Sequence, residues 1–400
     1  MATEETLIPY ENVAIKLNQY YKAIKNEWVG KAEELQMELR PIVDPNAHKM
    51  QENQDVCLYF SLLELRHQLM LEYKYPKIKN EISEKKAKDV NNQYKNLSKN
   101  HSKLTSLLEY YYNFFTGMFH FKQGELIDSL SFYRFAEKYL DEIEGDDIEL
   151  EKAEFYFKLS EVFYHMKQTY FSMNYAQRAY RIFSNCDKTE DGKPTYVERK
   201  IQCQFVISGN WLDNHRSQEA LHFAQKALED AKDLDGTEKN ASHLRRKALF
   251  NLGLCYNQME ELDVATQYFL KSLEIPDANE AYIARALFLI SFITGKKGDI
   301  SGAETYYKES KQIADQHGID LIKEKLKIVE GLFLKSDYSV ITEAFEFFDK
   351  HRHYPDMEEY GIEVAELLTK KGEFDGANEF YRWSIKGRKN IKRGEMQYEN

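Results

Sequence analysis

The side chains that most often carry chemistry are present in this chain but are not arranged for it. Cys57, Cys186, Cys203 and Cys255 form no CxxC pair and have no histidine at ligand spacing. That leaves neither a metal site nor a disulfide framework, and it fits reduced thiols. The eleven histidines are scattered, and His67, His165 and the others fall at helical positions where a ring bonded to a neighbour is the simpler reading. There is no HExxH, GxGxxG or GxSxG. The GKPT at 192–195 lacks both the upstream glycine and the Ser/Thr directly after lysine that a phosphate-binding loop needs.

The elements that would position any site come next. The 400 residues are 42% hydrophobic and 30% charged, with a net charge of −11 and only 18 Gly and 7 Pro. Such a low Gly and Pro content leaves little turn chemistry for hairpins, so a β-rich or low-complexity chain is excluded. The acidic balance argues against a nucleic-acid backbone as ligand. The N-terminus has no basic-then-apolar leader, and the longest apolar run, 286–293, is far too short for a bilayer, so a cytoplasmic protein with no membrane contact is expected.

From about residue 104 the chain resembles itself at intervals of 37 to 48 residues. The clearest unit, ALFNLGLCYNQMEELDVATQYFLKSLEIP, places Leu252, Gly253 and Tyr256 on one helix and Ala265, Phe269 and Ser272 on the next, which is the tetratricopeptide pattern. Anchors at Ser129, Ser172, Ala220, Ala265, Ala303, Val340 and Ala377 predict seven helix pairs. Tyr133, Phe269, Tyr307 and Tyr381 follow four residues after their anchors and would fill the gap between repeats, where Ala176, Ala224 and Ala344 stand in the others. Stacked pairs form a right-handed superhelix whose first helices line a concave surface suited to an extended peptide or a partner helix.

Residues 1–103 do not follow the repeat. Val13, Leu17, Tyr20, Ile24 and Trp28, and then Leu58, Leu62, Leu65 and Leu69, step by three and four and predict amphipathic helices separated by RPIVDPNAHK at 40–49. A further helix begins near Lys103. The lysine-rich span 76–103 reads as a solvated loop, with docking of an acidic partner as the alternative. The acidic run at 141–152 reads as an exposed junction in which Asp146 or Asp147 caps the next helix. The expected division is therefore 1–103, a helical bundle with a basic linker, and 104–400, the repeat domain.

Four blocks in order, MQENQDVCLYFSLLELRHQLMLEY at 50–73, YYYNFFTGMFHF at 110–121, KAEFYFKLSEVFYHMKQTYFSM at 152–173 and FVISGNWLDNHRSQEAL at 205–221, resemble the Rap family over nearly the full chain. These are bacterial response-regulator aspartate phosphatases controlled by secreted Phr peptides. The resemblance implies an all-α fold, a three-helix N-terminal bundle ahead of seven tetratricopeptide-like pairs, and quorum-sensing roles in sporulation, competence or similar phosphorelays. It also implies that a glutamine of the second family helix, here Gln54, orients water for in-line attack on the regulator's aspartyl phosphate. An acyl phosphate is already reactive and the regulator supplies its own Mg²⁺, so the chain needs no cofactor or metal of its own. A carboxamide can donate to one group while accepting from the attacking water.

Asn53, Asp55, Leu58, Ser61 and Leu62 surround Gln54 in sequence and are expected at the regulator interface. Asn53 departs from the family, which commonly carries an acid there. Some family members instead sequester the DNA-binding domain of a response-regulator transcription factor, and that non-catalytic inhibitor is the alternative reading. A peptide-responsive transcription factor with its own helix-turn-helix domain is disfavoured by the apolar helices and acidic surface of residues 1–75.

For the peptide, an extended ligand needs a side-chain partner for each backbone amide, which suits asparagine. Asn251 in FNLG and Asp213 in GNWLD resemble the family's peptide contacts, Asn251 for the ligand backbone and Asp213 for a basic residue or the N-terminus. Asn210, Asn257 and Tyr164 are further candidates on the same surface.

Overall fold

The computed structural model describes residues 10–43, 54–74, 81–100, 105–143, 148–186, 196–232, 234 and 239–394. Among these, all regular structure is helical. Packing divides the chain into two compact units, Met1–Ile148 and Glu149–Asn400.

The first unit holds α1 (Tyr10–Lys25), α2 (Val29–Val43), α3 (Gln54–Lys74), α4 (Glu81–Asn100), α5 (Ser106–Lys122) and α6 (Leu126–Leu140). Helices α1, α2 and α3 pack on one another as a three-helix bundle. Val13, Leu17, Tyr20 and Ile24 are buried as their spacing predicts, but Trp28 lies beyond the end of α1 and is 55% exposed. Helix α2 buries Ala32, Leu35, Leu39 and Val43 at the same three-and-four spacing, and Pro41 sits in its last turn.

Helix α4 occupies the span expected as a solvated loop. It contains neither Gly nor Pro, and its thin apolar face carries Val90 and Tyr94 against α3 and α5. Ser83, Ala87, Val90 and Tyr94 step by three and four, so this polar helix is amphipathic and is held by packing that one face on its neighbours. Helix α5 in turn packs on α3 and α4 through Tyr59–Tyr111 (ring centroids 5.5 Å) and the Tyr94–Tyr112 stack (3.6 Å). The α5–α6 pair, in which the repeat pattern begins, thus belongs by packing to the first unit.

The second unit contains α7 (Ile148–His165), α8 (Thr169–Asn185), α9 (Val197–Asp213), α10 (Ser217–Asp230), α11 (Lys239–Gln258), α12 (Leu262–Leu273), α13 (Glu280–Lys296), α14 (Ile300–His317), α15 (Asp320–Val329), α16 (Tyr338–Lys350), α17 (Tyr354–Lys371) and α18 (Phe374–Arg393). With α5–α6 these make seven helix pairs among the described residues. One backbone device recurs in all seven. The turn residue is left-handed at Gly124, Lys167, His215, Glu260, Gly298, Ser336 and Gly372. Six of these stand five residues before the anchors Ser129, Ser172, Ala220, Ala265, Ala303 and Ala377, all of them buried.

The sixth pair shows where the sequence reading slips. Five residues after Ser336 is Ile341, not Val340; Ile341 is fully buried against Gly331, whereas Val340 is half-buried. A π-helical turn, Glu330–Leu334, adds a residue to the end of α15 and shifts the register by one. In the seventh pair the inter-repeat aromatic is Phe380, 1% exposed, while Tyr381 is 39% exposed.

Close approach of paired helices selects the small residues. A Cβ on Gly253 would lie 2.6 Å from the Phe269 ring, so only glycine lets that ring lie flat on α11. Elsewhere serine serves both packing and polarity. Ser208 Oγ donates to Ala220 O (3.0 Å) and Ser291 Oγ to Ala303 O (2.7 Å), while Ser129 and Ser172 make the mirror-image bonds to Gly117 O and Ser160 O.

Candidate functional site

Helix α3 begins at Gln54 and runs through the centre of its unit, so this glutamine stands at the entry of a rigid element rather than on a loop. Asp55, in the first turn, is half-buried and complements the positive end of the helix dipole. Asn53 lies outside the described residues, as do the caps expected at Asp146 or Asp147.

Leu58 and Leu62 do not form a docking face. Both are fully buried, because α3 is packed on nearly every side, and the stripe they begin with Leu65 and Leu69 is bundle core. Ser61 is half-buried, as are Tyr59 and Glu64. Glu64 accepts from Gln36 Nε2 (2.7 Å) and pairs with Arg40 (2.5 Å) and Lys86 (3.3 Å), so α3 is tied to α2 and α4 by charge. Burial pushes its carboxyl up, but the Lys86 and Arg40 cations outweigh that and hold it below its ordinary value.

The first unit also gathers His120, Glu125 and Asp128, with ligand atoms all within 4.8 Å of one another, at the α5–α6 turn. His120 Nδ1 meets Glu125 Oε2 at 2.6 Å and its ring stacks on Phe132 (5.0 Å), which closes that turn. A cavity of about 360 Å³ lined by Asn91, Tyr112, Thr116 and Phe132 adjoins it.

In the second unit the first helices of the pairs carry the candidate peptide residues. Asp213 ends α9, and both its carboxylate oxygens lie 2.9 Å from Lys167 Nζ. Lys167 occupies the left-handed turn after α7, and its ammonium stands 5.4 Å above the Tyr164 ring. Burial alone would depress this ammonium, yet Asp213 outweighs burial and holds it well above the ordinary lysine value. Tyr164 reaches over Gly209, where any Cβ would meet its hydroxyl at 2.6 Å, and burial raises its phenol. Tyr164, Lys167 and Asp213 are therefore one constellation.

The three asparagines differ. Asn210 is 1% exposed; its Nδ2 donates to Ser172 Oγ (2.8 Å) and Val206 O (2.9 Å) and holds α8 to α9, while its Oδ1 has no partner among the described residues. Asn257 is half-buried, with an Oδ1 that has no partner among the described residues. Asn251 is half-buried on α11, and its carboxamide makes no hydrogen bond among the described residues, which leaves both donor and acceptor for a ligand.

The sequence reading missed Lys167, 46 residues from its partner. It also missed Lys247 and Arg285 on α11 and α13, and Glu359 on α17, whose carboxyl burial raises. A signal existed for these three. They precede the small residues Gly253, Ser291 and Ala365 by the same six positions, so they share one place on three of the first helices, α11, α13 and α17. The arrangement offers charged and amide groups to a ligand and, among the described residues, no activated nucleophile. Cys203 and Cys255 are buried, and burial pushes the Cys255 thiol up to about 12.

Comparison with known proteins gives the family. Residues 7–72 match the family model for the N-terminal part of response regulator aspartate phosphatase H. Response regulator aspartate phosphatase I of Bacillus subtilis (strain 168) is 38% identical over 98% of this chain and 95% of its own length. Response regulator aspartate phosphatase A of the same organism is 35% identical over 98% of each. A Rap protein solved in complex with competence and sporulation factor superposes with a TM-score of 0.78 at 32% identity, covering 96% of this chain and 100% of the other.

Proposed function

The chain belongs to the Rap family of response regulator aspartate phosphatases, and from that premise we propose that Gln54 carries the hydrolysis while the second unit receives a regulatory peptide. The protein is a phosphatase of response-regulator aspartyl phosphates. The full-length identity to phosphatases I and A carries that conclusion, and it does not favour the sequestering alternative.

The chemistry asks little of the chain. The acyl phosphate is reactive, and the Mg²⁺ belongs to the regulator's own active site. What remains is to place a water in line, which the Gln54 carboxamide does by accepting from the water while donating elsewhere. Its position at the first residue of α3 supports this, because a helix anchored by Glu64, Arg40 and Lys86 fixes its entry residue far better than a loop does. Asp55 and Ser61, both half-buried, are the described neighbours available to the regulator.

The peptide is short and secreted, in keeping with a relative crystallised with competence and sporulation factor. Asn251 takes its backbone and Asp213 a basic residue or the N-terminus, over Tyr164. Asp213 is already paired, so the peptide's cation exchanges with Lys167 rather than entering an empty seat. Binding shifts the population toward a state that has lost the regulator-binding surface, which makes peptide and regulator mutually exclusive. The setting is the cytoplasm, in a sporulation or competence phosphorelay; no described helix is long and apolar enough to cross a membrane.

The test is phosphate loss from a panel of phosphorylated response regulators with Mg²⁺. At least one regulator should lose phosphate faster with this protein present. Unchanged rates across the panel contradict the reading.

A further inference from the structure

Lys247 and Arg285 are the two groove cations that the reading above leaves without work. Both lie on first helices with solvent-accessible surface but crowded by neighbouring helices, and neither has a carboxylate within ion-pair distance among the described residues. Each rests only on an aromatic ring, Lys247 Nζ 5.0 Å from the Phe205 centroid and Arg285 Cζ 5.1 Å from that of Phe250. Two like charges at the same repeat position repel one another. Burial and the neighbouring Arg285 and Lys158 depress the Lys247 ammonium, against the pull of Glu161. Glu161 is itself paired with Lys158 at 2.7 Å. Glu359, which also feels Arg285, makes no ion pair among the described residues.

Such a pair is completed by an anion from outside, because a carboxylate bridging both cations removes their repulsion and accepts from the ammonium and the guanidinium fork together. Asn251 stands four residues after Lys247 and so on the same face of α11. Asp213 on α9, Asn251 and Lys247 on α11, and Arg285 on α13 thus run from an anionic end through a neutral amide to a cationic end. Arg285 also acts on Tyr164, the ring beside Asp213, so the two ends belong to one surface that a short extended peptide can bridge.

Resting on the peptide-receptor reading, we propose that Lys247 and Arg285 form the subsite for the peptide's C-terminal carboxylate. The peptide lies with its basic or N-terminal end at Asp213 and its C-terminus toward α13.

The experiment exposes the full-length protein to two randomised hexapeptide pools, identical except that one ends in a free carboxylate and the other in an amide. Retained peptides are counted by mass spectrometry. Wild type should retain the free-acid pool at least about tenfold better, the effect of a charge-assisted contact. Lys247→Gln combined with Arg285→Gln should bring both pools to the lower level, while Lys247→Arg keeps the preference. Glutamine is a good helix former and both sites are exposed, and the wild-type comparison needs no variant at all. Equal retention of the two pools by wild type, or a preference that survives the double substitution, overturns the subsite alone. Amide-pool peptides enriched in a terminal Asp or Glu overturn it in favour of a side-chain carboxylate. Retention of neither pool overturns the peptide-receptor reading and the subsite with it.

Discussion

His67 makes the N-terminal bundle acid-labile in a calculable way. It is 1% exposed at the centre of α3, with its Nδ1 2.8 Å from the Tyr20 hydroxyl. Its Nε2 is enclosed and has no partner among the described residues. Protonation would therefore put N–H groups on both ring nitrogens and a positive charge in a buried site where Tyr20 is the one hydrogen-bond partner among the described residues. Burial, followed by the Lys86 and Arg66 cations and against Glu64, lowers its pKa from 6.5 to about 4. The sign follows from which state takes the proton. Between pH 6.5 and 4 the unfolded chain binds it and the folded chain does not, so stability is complete above pH 6.5 and falls as pH drops. The loss is about 2 kcal/mol at pH 5 and about 3 kcal/mol at pH 4. Urea unfolding at pH 7 and pH 5 measures it, with His67→Gln as comparison, since glutamine keeps an acceptor for Tyr20. Contributions from His165 and His243, which burial also holds neutral, cancel in the difference. The wild type should lose about 2 kcal/mol more than the variant over that interval. An identical acid response in both proteins refutes the assignment.

Three further outcomes follow from the packing and the groove. Gly253→Ala should cost about 1–3 kcal/mol in urea unfolding, because its Cβ meets the Phe269 ring, and Phe269→Leu should recover part of that loss. Arg199→Ala, which removes the two contacts Arg199 makes to the buried Glu154 carboxylate at 2.8 and 3.1 Å, should cost about 1.5–3 kcal/mol, whereas exposed pairs such as Lys308–Glu304 should cost less than about 1 kcal/mol. Lys167→Ala should tighten binding of a hexapeptide pool with N-terminal arginine, as read by fluorescence titration, because the ligand no longer competes for Asp213; unchanged affinity would show that the pair sits outside the peptide's path.

The helix pairs were legible because close packing imposes a strict residue code. Ser129, Ser172, Ala220, Ala265, Ala303 and Ala377 fall where their spacing puts them. The sixth pair was misplaced by one residue because a π turn changes register without changing composition. Helix α4 was missed for a different reason: its stripe of Ala87, Val90 and Tyr94 has helical spacing but is thin and set in a lysine-rich run that reads as solvated. At the sites, Asp213 could be read as a helix-end carboxylate, but its seat beside Lys167 depends on a turn 46 residues away. Leu58 and Leu62 show the limit of face arguments: a leucine stripe cannot declare whether it is core or interface, and here the bundle takes it. Gln54 carries no signal of its own in composition or spacing and is singled out only by the resemblance.

The measurement that bears most directly on the catalytic claim compares wild type with Gln54→Ala on one phosphorylated regulator that the wild type dephosphorylates, recording binding and phosphate loss in the same samples. Binding within about twofold of wild type, with hydrolysis reduced to the regulator's own rate, is the expected result, since water positioning acts in the transition state and not on association. A variant that still hydrolyses at the wild-type rate contradicts the assignment of Gln54.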